Sequence, residues 1–294
     1  MKKLFFFGNY FYGLCVVALS IEAALQQKIL LPPIIYFLFI FCATVVFYTK
    51  AYIAETINTT ANERSIWYVK NHKTIITTQI IFTVLIALFG LLLLPNIISG
   101  AKLLSYSSIF LFVSFPLVAL LYYGFTKKLS LRNTHWLKPF VIGFVWSGIV
   151  TLFPLFYHQL QLEKVLELNV VSCLLFIKNL MFIAVLCIMF DIKDYATDYN
   201  QHLKTFVVSF GLRKTIFNIL IPLTIIGFAS FLVVAFNNQF SIITIILNTI
   251  PFVLLLLVAF SLTKRKSIFY YVIIIDGLML AKALCGIVAI IISR

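Results

Sequence analysis

Residues 168–198 read LNVVSCLLFIKNLMFIAVLCIMF (168–190) running directly into DIKDYATD (191–198). The first part is an apolar run broken by a single charge, Lys178, and it has the length that carries a helix across a bilayer core. Its end is as informative as its length. Three of the chain's four aspartates, Asp191, Asp194 and Asp198, follow within eight residues. A hydrophobic span that stops on a block of carboxylates predicts a membrane helix delivering acidic groups to the water boundary.

The same apolar signal recurs along the whole chain. Stretches of spanning length occupy Leu4–Leu25, Ile29–Tyr48, Thr74–Leu94, Leu103–Tyr123, Pro139–Tyr157, Leu168–Phe190, Thr215–Phe236, Phe240–Thr263 and Ile268–Ser293. With 63% hydrophobic residues, 11% charged residues and a mean hydropathy of +1.09, no segment is left over for a sizeable water-soluble domain. The expectation is an all-α polytopic membrane protein, one unit over residues 1–294, with nine transmembrane helices. Lys2 and Lys3 ahead of the first run resemble the start of a signal peptide, but eight further spans and the lack of a clear cleavage site favour a first membrane helix.

The net charge of +14 raises nucleic acid as a partner, and the distribution of the charge argues against it. With the N-terminus cytoplasmic, 17 of the 23 basic residues fall in cytoplasmic segments, four on the opposite side and two, Lys178 and Lys282, inside spans. That asymmetry is the positive-inside bias. It predicts a multi-pass cytoplasmic-membrane protein with the N-terminus in and the C-terminus out. The longer polar connections, 49–73, 124–138 and 191–214, all lie on the cytoplasmic side in this reading, so function concentrates there. The five cysteines fall in the spans without paired spacing and read as small apolar packing residues. The four histidines show no metal-ligand spacing.

Spacings of three and four place Asp191, Asp194 and Asp198 along one face of a helix. Carboxylates so close repel one another unless a cation joins them, and an oxygen-rich cluster suits Mg²⁺. The alternative is a solvated helix end paired with Lys193, Lys204 or Arg213. A second block, Glu55, Asn58 and Asn62, repeats the spacing after the second span, four helices earlier, and two such faces would close around one polyanion. Lys127, Lys128 and Arg132 can reach phosphate oxygens from the fourth loop, although the charge bias explains each of them as well. Lys178 and Asp276, at comparable depth, are expected to pair and bridge two helices.

The motif Asp191-x-x-Asp194-x-x-x-Asp198, followed by Lys204-Thr205-x-x-Val208-x-x-Gly211, resembles the second aspartate-rich motif of the UbiA superfamily of intramembrane prenyltransferases. Nine spans, the loop Lys127–Trp136 ahead of a fifth span containing Gly143 and Gly148, and Asn9 in the first span are similar to that family too. The resemblance implies a helical bundle around a central cavity. It also implies Mg²⁺ held by two acidic helices, a polyprenyl diphosphate donor and a small acceptor, aromatic or a quinone precursor, in the bilayer. The implied metal ligands are Asp191, Asp194, Asp198, Glu55, Asn58 and Asn62, the aspartates being catalytic. Lys204, Lys127, Lys128, Arg132 and Asn9 would bind substrate. The first motif departs from the family's NDxxDxxxD, with Glu55, Asn58 and Asn62 in its places. That departure supports an alternative, a non-catalytic relative that binds or moves a prenyl lipid. A third reading, an ion-coupled transporter, has only Pro32-Pro33, Pro222 and Pro251 to suggest broken helices.

Overall fold

The computed structural model describes residues 2–56, 63–101, 106–123, 136–164, 167–200, 203–264 and 266–293, and among these it contains helices and no strand. In chain order the helices are α1 (Lys2–Phe7), α2 (Tyr10–Gln26), α3 (Ile34–Thr56), α4 (Glu63–Lys70), α5 (His72–Ala101), α6 (Tyr106–Tyr123), α7 (Lys138–Ser147) and α8 (Phe153–Gln161). They continue with α9 (Val170–Lys193), α10 (Tyr195–Asn200), α11 (Phe206–Phe210), α12 (Leu212–Thr215), α13 (Ile221–Asn237), α14 (Ile242–Ser261) and α15 (Gly277–Ile292).

Six continuous helical rods are long and apolar enough to cross a membrane: His72–Gly100, Lys138–Gln161, Val170–Lys193, Leu212–Asn237, Ile242–Ser261 and Tyr270–Ile292. Three shorter apolar helices, Tyr10–Gln26, Ile34–Lys50 and Ser108–Tyr122, fall below that length. Each apolar stretch read from the sequence overlaps one of these nine helical segments, six of which reach spanning length.

The helix α9 lies at the centre, against α7 on one side and α13 on another, while α2 packs on α3 and α15 and α14 packs on α15. The rod Lys138–Gln161 is mostly buried, whereas almost all of His72–Gly100 faces outward with its leucines and isoleucines. Between membrane helices, lipid offers apolar contact as good as a neighbouring leucine does, so close association depends on small residues that let backbones meet. At Gly143 in α7 an added Cβ would lie 2.8 Å from the Leu180 carbonyl oxygen of α9, so only glycine permits this approach.

Three rods contain a π-helical stretch, Gly148–Leu152, Ile216–Leu220 and Tyr270–Ile275. Such turns shift hydrogen bonds from the fourth to the fifth residue and commonly mark places where a group is re-aimed. Here the Thr151 carbonyl accepts from Gln27 Nε2 at 3.0 Å, and the Asp276 amide bonds back to the Tyr271 carbonyl, five residues earlier. Both stretches therefore lead into polar groups inside the bundle.

Candidate functional site

The first apolar stretch does not form one helix. The chain breaks between α1 and α2 at Asn9, whose backbone is left-handed with φ 65°. In a continuous helix the Phe7 carbonyl would accept from residue 11. Instead it accepts from Arg64 Nη2 at 3.1 Å and from the Tyr68 hydroxyl at 2.8 Å. Asn9 Nδ2 donates to Thr49 Oγ1 and to the Tyr68 hydroxyl, both at 3.0 Å, and Asn9 Oδ1 accepts from Arg64 Nη2 at 2.7 Å. Arg64 also donates to the Tyr52 hydroxyl at 2.9 Å, with its guanidinium 3.7 Å above the Tyr52 ring. Buried polar groups must find partners inside the protein, and this clamp supplies them. Asn9, expected to touch substrate, has its amide engaged as a brace between α2, α3 and α4.

The three aspartates do not share one helix face, because α9 ends at Lys193 and Asp194 is its cap. The chain turns there, and α10 carries Asp198 onward, with the Asp198 amide bonded to the Asp194 carbonyl at 2.9 Å. The turn separates the roles of the side chains. Asp191 is buried and receives the Lys138 ammonium at 3.0 Å on Oδ1. Asp194 is exposed, with Lys193 3.2 Å away. Asp198 is buried again, and burial together with the neighbouring charges of Asp191 and Asp194 pushes its carboxyl up to about 6. Two buried carboxylates thus stand within reach of each other's field, with the Lys138 ammonium on one of them.

This acidic end faces the Asn9 clamp through a chain of neighbours. Lys138 and Asp191 lie within electrostatic reach of Tyr122, and Tyr122 within reach of Tyr52. Tyr52 and Arg64 act on Tyr12, whose hydroxyl donates to Asp276 Oδ2 at 2.7 Å. Asp276 in turn senses both Arg64 and Lys193. An aromatic wall lies alongside, with Tyr12 stacked on Tyr48 at 4.7 Å and Trp146 Nε1 donating to the Tyr48 hydroxyl at 2.6 Å. The end of α3, three residues before Glu55, therefore belongs to the same layer as Asp191.

A second polar layer occupies the other half of the bundle. Glu22 of α2 is fully buried and takes two lysines, Lys178 of α9 at 2.9 Å and Lys282 of α15 on its other oxygen. Lys178 also donates to Gln26 Oε1 at 2.6 Å, and Gln26 Nε2 donates to Asn248 of α14 at 2.9 Å. The faces of Phe231 and Phe182 lie under the two ammonium groups, at 5.8 and 5.7 Å. The expected Lys178–Asp276 bridge is absent. Lys178 lies thirteen residues before Asp191 on α9, about 20 Å at the helical rise, and Asp276 belongs to the Asp191 layer.

Of the residues expected from sequence to form a site, the structure brings together Asp191 and Asp198 and leaves Asp194 on the surface. Lys204 is exposed in the link before α11. The segment after it has local work to do: the Thr205 side chain caps α11, and Gly211, at φ 77°, makes a corner that a side chain would strain. Asn58, Asn62, Lys127, Lys128, Arg132 and the Glu55 side chain lie outside the described residues. Sequence reasoning missed Lys138, which positive-inside bias alone accounts for. It also missed Glu22, although a lone carboxylate inside a span is itself a signal.

The donor set admits a magnesium ion. Among the described residues no group of three His, Cys, Asp or Glu side chains is close enough to enclose a metal. Mg²⁺ is commonly held by one or two carboxylates, with water and substrate phosphate completing its octahedron. Asp191 and Asp198 offer that pair, and the charge crowding at Asp198 is what a cation would relieve. No protein-family model, no curated protein and no solved structure matches this chain.

Proposed function

We propose that this protein is a Mg²⁺-dependent prenyltransferase of the cytoplasmic membrane. It crosses the bilayer nine times, with its N-terminus in and its C-terminus out, and moves a polyprenyl group from its diphosphate to a small aromatic or quinone-precursor acceptor. The observation that carries this reading is the pair of buried carboxylates, Asp191 and Asp198, at the end of a membrane helix. Ionisable groups placed at that depth are functional by default, and the acidic motif they belong to resembles that of the UbiA superfamily.

In this reading Asp191 and Asp198 hold the cation, with Asp194 at its solvent side. Bound there, Mg²⁺ would neutralise the diphosphate and so make it a leaving group. Lys204 and the loop bases Lys127, Lys128 and Arg132 hold phosphate oxygens where charge builds up as the bond breaks. The bond from C1 of the prenyl chain to the diphosphate oxygen breaks with its electron pair on the diphosphate. The acceptor bonds to C1 and gives up a proton. The aromatic cluster of Tyr12, Tyr48 and Trp146 lies in the same layer, and aromatic side chains stabilise an allylic cation and keep water from it.

The reading is tested with membranes carrying the protein, a labelled polyprenyl diphosphate, Mg²⁺ and a panel of acceptors. Label should pass to an acceptor, and Asp191→Asn/Asp198→Asn should abolish the transfer. Failure with every acceptor, or full activity in the double variant, contradicts it. The second reading, a lipid-binding relative without turnover, is favoured by one observation, the lysine already seated on Asp191. It predicts prenyl-lipid binding that does not depend on Mg²⁺.

A further inference from the structure

Basic residues from neighbouring helices gather at one corner of the bundle. The rings of Phe217 and Phe260 lie 5.8 Å apart, which sets the start of the rod Leu212–Asn237 against the end of the rod Ile242–Ser261. Arg213 and Lys214 precede Phe217 by about one helical turn, and Lys264 lies just past the end of α14. Tyr270 is tied to that same end by the 2.6 Å bond between its hydroxyl and Ser261 Oγ, and the Lys266 ammonium sits 5.0 Å over the Tyr270 ring. Phe190, next to Asp191 in α9, is 5.8 Å from Tyr271, so the corner lies at the Asp191 end of the bundle. None of these four bases has an ion pair among the described residues. The sequence holds no acidic residue between Asp198 and Asp276. Arg213, Lys214 and Lys264 are exposed, and so are the Phe217 and Phe260 rings one turn further along the rods.

We propose that this corner binds the headgroup of an anionic phospholipid, whose acyl chains lie along Phe217 and Phe260. Charge and apolar surface stand there in two tiers, and the ligand has to match both. Bases at the ends of membrane helices attract anionic headgroups. Long basic side chains reach the headgroup level while apolar rings stay in the hydrocarbon. A soluble anion would use the upper tier alone. The bias of basic residues toward one side of a membrane places them at this end singly. It does not call for a cluster free of acids, drawn from separate helices, over exposed rings. The inference needs only the membrane helices and stands apart from the catalytic reading.

The test is native mass spectrometry of the purified full-length protein in neutral detergent, titrated with phosphatidylglycerol or with phosphatidylcholine of the same acyl chains. Folding is checked by circular dichroism. The wild type should retain phosphatidylglycerol in preference to phosphatidylcholine, and soluble glycerol phosphate in large excess should not displace it. Arg213→Gln/Lys214→Gln and Lys264→Gln/Lys266→Gln should each weaken phosphatidylglycerol binding by about tenfold or more, and either pair serves alone if the other misfolds. Arg213→Lys should bind like the wild type. Lys70→Gln/Lys73→Gln, which neutralises exposed bases at the junction of α4 and α5, should leave the binding unchanged. Equal retention of the two lipids by the wild type, or no loss in a folded corner variant, overturns the site. So does an equal loss in the Lys70→Gln/Lys73→Gln variant, which would reduce the effect to overall charge, or displacement by glycerol phosphate, which would make the ligand a soluble anion.

Discussion

The bundle contains two polar layers, both reached by α2 and α9, and they solve the problem of buried charge in different ways. In the Glu22 layer one carboxylate serves two lysines, each ammonium lies over a phenylalanine ring, and Gln26 and Asn248 extend the network. An extra Cβ at Gly286 would come within 2.5 Å of Glu22, so the packing around it is tight. In the Asp191 layer Lys138, partly exposed, pairs with buried Asp191, and Asp198 beside them is left with its proton held more firmly than usual. The first layer is closed on itself, which is what structure requires. The second crowds acidic side chains near the end of a membrane helix, and the proposed function rests on that crowding.

If that contrast is right, the layers should fail differently. The largest effect is expected from Glu22→Gln, which leaves two ammonium groups buried without a carboxylate. It should cost about 3–5 kcal/mol of stability, read as a lowered unfolding temperature in detergent. Next, Asp191→Asn/Asp198→Asn should lower Mg²⁺-dependent transfer by about a hundredfold or more while the protein stays folded. Arg64→Met comes third. It strands Asn9 Oδ1, removes one of the two donors to the Phe7 carbonyl, and should destabilise by about 1–3 kcal/mol, with protease sensitivity rising at the N-terminus. Lys282→Met sharpens the comparison most, because it leaves Glu22 and Lys178 as a one-to-one pair. Its stability should stay within about 1 kcal/mol of wild type. Asp194→Asn should be smallest in stability, since an exposed pair contributes roughly 0–1 kcal/mol. A large loss of stability there would place Asp194 in the protein's interior contacts and blur the distinction between the layers.

Much of this architecture could be read in advance, because spanning length is a local property of sequence. Residues 168–190 and 240–263 need no partner to declare themselves apolar and long. The break at Asn9 was not legible, since it depends on Arg64 and Tyr68, residues more than fifty positions away that take over the Phe7 carbonyl. The pairing of ionisable groups inside the spans was hidden for the same reason. Glu22, Lys178, Asp276 and Lys282 are visible singly, but which two meet depends on how α2, α9 and α15 are set against one another and on the π-helical turn that aims Asp276 at Tyr12. The acidic trio was legible as a motif and its division was not. Three-and-four spacing assumes a continuous helix, and the turn at Asp194 sends the middle carboxylate outward.

The most direct test of the central claim follows labelled prenyl transfer in membranes while Mg²⁺ is removed by chelation and restored, with variants of both layers run in parallel. Transfer should stop without Mg²⁺, return when it is restored, and be lost in Asp191→Asn/Asp198→Asn but retained in Lys282→Met. Transfer that persists under chelation, or that survives loss of both carboxylates, would contradict the account.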